Sequence, residues 1–242
     1  MPPEGQSRRD ALITAGLAPA LLLPLAAPAL AADEKAKGPG QEKETPAVED
    51  LMREHGVLRR ALLVYNEIAL RLAPGGPRFD PRPLNQTARL FRAFGENYHE
   101  RKLEEAHIFP VIRKARGPAA AYPDVLTAQH NRGREITEYI IAVTRDGTLN
   151  KGDSENLARA LNRFVLMYEN HAAREDTVVF PAWKLALSDR QIEAFGDQFE
   201  DIEKQQFGHD GFEDAVRQIT DIERAYGFSD IGQFTAPPPP GR

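Results

Sequence analysis

Apolar residues recur along most of this chain at the alternating three- and four-residue spacing of a buried helix face. Between residues 47 and 72 the stripe runs Leu51, His55, Leu58, Leu62, Tyr65, Ala69 and Leu72, and Pro74-Gly75-Gly76-Pro77 ends it. A second helix is expected over 84–115, stopped by Gly117-Pro118. The third, over 123–145, carries Leu126, His130, Gly133, Thr137 and Ile140 on one stripe and stops at Asp146-Gly147. The fourth, over 154–187, carries Leu157, Leu161, Phe164, Tyr168, His171, Glu175 and Val178. Ser188-Asp189-Arg190-Gln191 resembles a capping box for a fifth helix to 206; Phe207-Gly208 closes it, and a sixth runs to 226. No strand-like alternation or hairpin turn interrupts the series. The pattern predicts an all-α fold, an up-down four-helix bundle with two extra C-terminal helices, as one domain over 47–227.

The two ends of the chain lack that periodicity. Arg8-Arg9 precedes an apolar run of Ala, Leu and Pro that reaches Leu30, and Ala29-Leu30-Ala31 resembles a cleavage site. Pro19, Pro24 and Pro28 interrupt the run, which is short for a membrane span. Residues 1–31 are therefore expected to be a signal peptide of the twin-arginine kind, which exports folded proteins to the periplasm or beyond. A flexible leader over 32–46 and a proline-rich tail over 228–242 complete the outline.

Net charge is −5 with acids and bases interspersed, which argues against a nucleic-acid surface. There is no cysteine, so disulfides, thiolate metal sites and a cysteine nucleophile are excluded.

The chemistry concentrates in two similar stretches, YHERKLEEAHIFP over 98–110 and NHAAREDTVVFP over 170–181. His171 and Glu175 are four residues apart, about 40° around a helix, so both lie on one face and can share a metal ion. The likeness is part of a longer repeat: His55 to His130 is 75 residues, while Glu104 to Glu175 and Pro110 to Pro181 are each 71. His55, His130, His171 and Glu175 all fall on apolar stripes. A carboxylate buried there costs several kcal/mol unless it is paired or bound to a metal.

With REH in the first helix, His and Glu-Glu before Phe-Pro in the second, QHNRGREI in the third and His-x-x-x-Glu before Phe-Pro in the fourth, the chain resembles the hemerythrin-like (HHE cation-binding) domain over 46–207. That resemblance implies a non-haem, carboxylate-bridged pair of iron ions, with manganese or zinc as alternatives. It implies His55, His99, His130 and His171 as terminal ligands and Glu104 and Glu175 as bridges. Phe109 and Phe180 read as core residues. Glu105 and Asp176 follow the bridging positions and are expected as partners of the ligands or as solvated face. His209, outside the repeat, reads as a cap or surface residue.

Two departures from the family pattern stand out. Where hemerythrins proper carry a second histidine in the third helix, this chain has Arg134, which cannot ligate. At least one ion would then keep an open position for dioxygen, nitric oxide or peroxide. His99, moreover, lies five residues before Glu104, about 140° away on a regular helix. A π-bulge near Arg101–Lys102 would restore both to the site. Alternatively Glu100, in register with His171, or His107 takes the place. The expected function is binding of dioxygen, nitric oxide or iron by an exported protein. A di-iron or di-manganese peroxidase or oxidase, and a metal-free helical interaction module, are the alternatives.

Overall fold

The computed structural model describes residues 45–150 and 152–240. The expected signal peptide and all but the last two residues of the expected leader lie outside them. Helix α1 spans Ala47–Arg71. Helix α2 is built of three abutting segments, Pro81–Leu90, the π-helical Phe91–Ile108 and Phe109–Lys114. Helix α3 spans Tyr122–Thr144. Helix α4 is again composite, with Ser154–Arg174, a π-helical turn over Glu175–Val179 and Phe180–Leu185. Helices α5 (Asp189–Phe207) and α6 (Gly211–Tyr226) follow, and no strand occurs among the described residues.

Local chemistry fixes the helix ends. Asp80 accepts the Arg82 backbone N–H and Pro81 supplies a first-turn residue that needs no donor, which starts α2. At the start of α5 the Gln191 side chain accepts the Ser188 backbone N–H at 3.0 Å. Gly208, at φ 74°, closes α5 in the left-handed conformation that glycine adopts without strain.

Helices α1 to α4 form a closed ring, α1 against α4, α4 against α3, α3 against α2 and α2 against α1. One face of the core is aromatic: Phe91, Phe164 and Tyr168 meet with ring centroids 4.5–4.9 Å apart. Helix α6 covers α1 and α2, and Arg60 of α1 grips Glu223 at 2.8 and 2.6 Å. Helix α5 covers the other end, where Phe207 packs on Tyr98 and Phe199 on Trp183. No helix among the described residues is long and apolar enough to cross a membrane.

The π-helical segments depart from the expected helices in extent and number. A one-residue bulge near Arg101–Lys102 was the expectation for α2; the widened segment covers Phe91–Ile108. A second in α4 was not foreseen at all. Both end at a Phe-Pro pair. The Phe109 N–H donates to Glu104 O and the Phe180 N–H to Glu175 O, each five residues back. A proline next in line has no N–H and crowds the carbonyl four residues before it, so widening the preceding turn relieves the clash.

Candidate metal centre

Each main helix turns a histidine into the bundle. His55 comes from α1, His99 from α2, His130 from α3 and His171 from α4, and all are buried. Hydrogen bonds that reach five residues back place residues five apart on one face of α2. His99 and Glu104 therefore both point inward.

The rings meet in two pairs: His55 Nε2 lies 3.0 Å from His99 Nε2, and His130 Nε2 lies 3.1 Å from His171 Nε2. Two carboxylates span the pairs. Glu104 places Oε1 at 3.3 Å from His99 Nε2 and Oε2 at 3.3 Å from His130 Nε2. Glu175 Oε2 lies 3.5 Å from His55 Nε2 and 3.0 Å from His171 Nε2. All four carboxylate oxygens are buried and none has a hydrogen-bond partner. Three groups of donor atoms lie within 4.8 Å of one another among the described residues: Glu104 with His130, His171 and Glu175; His55 with His99 and Glu104; and Glu100 with Glu105 and His130.

The outer nitrogens explain the inward ones. His55 Nδ1 faces Asp176 Oδ1 at 2.7 Å, His99 Nδ1 faces Glu54 Oε2, His130 Nδ1 faces Glu105 Oε1 at 2.8 Å and His171 Nδ1 faces Gln129 Oε1 at 2.9 Å. An acceptor at each Nδ1 favours a proton there and turns the Nε2 edge into the centre, where the neutral ring offers its lone pair. Phe180 stacks on the His55 ring and Phe109 on the His130 ring, so these core residues also hold two imidazole planes.

The partners obey the repeat. Glu105 and Asp176, 71 residues apart, meet His130 and His55. Glu54 and Gln129 were missed, although each immediately precedes its own helix's histidine and they are 75 residues apart. Each supports the histidine of the following repeat helix, a relation that sequence spacing shows only once that pattern is known. Arg59 and Arg134, also 75 apart, pair with Asp176 and Glu105 in turn.

The other candidates sit elsewhere. Glu100 lines the cavity beside the centre but turns its carboxylate to Tyr168 and Arg134. His107 lies apart, half-buried between Phe195 and Phe199. His209 is exposed, 3.7 Å from Asp214.

Charge in the centre is unevenly held. Burial raises Glu175 well above the usual carboxylate range, and Glu104 beside it adds to this. Burial would raise Glu104 too, but His99 and His130 overturn that and hold it well below its ordinary value. His130 is pushed up to about 10, its burial outweighed by Glu100, Glu104 and Glu105. His171 falls to about 3 through burial and the neighbouring His130. Ionising both spanning carboxylates together needs more positive charge than the imidazoles supply, and divalent cations supply it. Imidazole nitrogen with carboxylate oxygen is a donor set that suits iron, manganese and zinc alike.

Comparison with known proteins agrees with this geometry. The hemerythrin HHE cation binding domain matches residues 47–183. An uncharacterized protein of Mycobacterium tuberculosis (strain ATCC 25618 / H37Rv) is 38% identical over 241 residues, covering 97% of this chain and 92% of its own length. An uncharacterized protein of Mycobacterium bovis is similar to the same degree. No solved structure matches the chain. By its matched domain and its inward histidines and carboxylates, the chain belongs to the hemerythrin HHE cation-binding family.

Proposed function

We propose that the chain holds two iron ions and binds a small exogenous ligand, dioxygen, nitric oxide or peroxide, beside them. In this reading His55 and His99 hold one ion, His130 and His171 hold the other, and Glu104 and Glu175 bridge. The observation that carries it is the set of unpartnered, buried oxygens of Glu104 and Glu175, faced by imidazole nitrogens whose opposite sides are anchored. A metal-free helical module gives no account of those oxygens, because a buried carboxylate without compensation is costly. Two such ions supply Lewis acidity and open coordination positions when bound.

Ligand size follows from the space beside the centre. The cavity lined by His55, Leu58, Leu62, Phe91, Glu100 and Tyr168 has room for about one water-sized molecule. Space so small suits a ligand of very few atoms and not a larger organic substrate.

Export belongs to the same proposal. Copper and zinc bind such donors more tightly than iron does, so loading in the cytoplasm before twin-arginine export protects the iron site from them. Replacing Arg8-Arg9 by Lys-Lys is expected to block export, and unchanged export refutes the twin-arginine route.

The test of the centre is metal analysis with an optical spectrum on protein folded in the cytoplasm. Two irons per chain and azide-sensitive absorption bands are expected. Fewer irons, or a spectrum indifferent to azide, overturns the di-iron reading.

A further inference from the structure

Glu100 is a buried carboxylate beside the proposed centre that the centre leaves unused. It stands in register with His171 in the repeat, is 2% exposed, and lines the same cavity as His55, His99, His171 and Glu104. An oxygen donor so placed would suit iron. Yet Oε1 accepts the Tyr168 hydroxyl at 2.7 Å, and Oε2 accepts Arg134 Nη2 at 3.0 Å.

Both donors are specially provided. The Tyr168 hydroxyl lies against α3 because residue 133 is glycine; a Cβ there would sit 2.0 Å from the hydroxyl oxygen. Arg134 differs from its repeat mate as well. Arg59 holds Asp176, whereas Arg134 holds Glu105 at 2.6 Å and reaches Glu100 in addition. This second grip falls on a carboxylate that lines the cavity, and it departs from the two-fold pattern.

We propose that Tyr168 and Arg134 form a latch that keeps Glu100 off the metal ions and so keeps a coordination position open to the exogenous ligand. The inference rests on the di-iron reading above. Its physical basis is that a buried carboxylate cannot stay without a compensating donor or cation. The hydroxyl and the guanidinium provide that compensation. Without them, the nearest compensation would be a cation at the proposed centre, whose residues His55, His99, His171 and Glu104 line the same cavity as Glu100. Released, Glu100 takes the open position and competes with any small ligand. Tyr168 and Arg134 are thus positioning residues, acting through Glu100.

The experiment is an azide titration of iron-loaded, full-length protein, with iron content measured alongside. The variants are Tyr168→Phe, Arg134→Met and their combination, each with and without Glu100→Ala. The combined variant is expected to keep two irons per chain while its azide affinity falls about tenfold or more; adding Glu100→Ala restores it. Tyr168→Phe preserves the packing and shifts affinity the same way by less, with the same rescue, so the test survives a poorly folding Arg134→Met. Unchanged azide affinity in Tyr168→Phe and in the combined variant overturns the latch. Affinity that stays lost after Glu100→Ala also overturns it, because it assigns both residues a merely structural role. Wild-type protein that holds fewer than two irons or binds no azide overturns the di-iron reading, and the latch with it.

Discussion

Glu54 shows how much one residue contributes here. Its Oε2 faces His99 Nδ1, its Oε1 accepts the Tyr98 hydroxyl at 3.0 Å, and it is almost wholly buried. It therefore fixes both the tautomer and the plane of the one histidine whose sequence register is irregular. Its repeat counterpart, Gln129, performs the task for His171 without charge. Glu54→Gln keeps the shape and removes the charge, so the protein should fold while iron affinity falls by about 10–100-fold, the usual cost of losing a ligand's anchor. Competition against a chelator measures this, and affinity equal to wild type would show that Glu54 does not govern His99. The residues one position beyond Glu104 and Glu175, Glu105 and Asp176, were legible as candidate partners because they share the repeat of the residues they follow. Glu54 and Gln129 were not, because support passes from one helix to the next and depends on which way a neighbouring ring turns. The grip of Tyr168 and Arg134 on Glu100 is tertiary for the same reason, joining α2, α3 and α4.

Helix periodicity revealed each of the six long helices, since an amphipathic stripe records which face is buried. It could not reveal the width of the turns. A π-helical segment keeps the same residues inward on a longer period, so YHERKLEEAHIFP looks like a faulty copy when read at 3.6 residues per turn. The extra residue between His99 and Glu104 requires the wider turn. The shared Phe-Pro explains why α4, which has no extra residue between His171 and Glu175, still widens just after Glu175. Deleting Lys102 restores the four-residue spacing of the other copy. The shortened protein is expected to keep its iron content and to melt no lower than wild type, because a regular turn can then present both residues. Iron analysis and thermal unfolding decide the matter, and loss of iron would show that the wide turn positions more of the site than this pair.

The whole molecule reaches beyond the bundle to α5 and α6, which follow or extend past the 47–183 family match. Helix α5 lies behind the Tyr98–Glu54–His99 chain and brings Glu203 toward Asp50 and Glu54 of α1. Burial lifts Glu203 to about 7, with Glu54, Asp210 and Asp50 adding to the rise and the Phe212 N–H opposing it at 2.7 Å. Burial likewise lifts Asp50 to about 6, reinforced by Glu54 and opposed by Arg53. Raised carboxyls keep protons that the unfolded chain releases. Their stabilising contribution is fully present below the unfolded values near 4 and is lost as pH climbs through about 6 and 7. Glu203→Gln has no proton to lose there, and its amide oxygen can still accept the Phe212 N–H. In metal-stripped protein the variant should match wild type near pH 5 and exceed it by roughly 1–2 kcal/mol at pH 8. Urea unfolding at the two pH values measures the difference. A gain independent of pH, or a loss at pH 8, would mean that α5 docks by its aromatic contacts alone and that the carboxylates on its inner face do not oppose it.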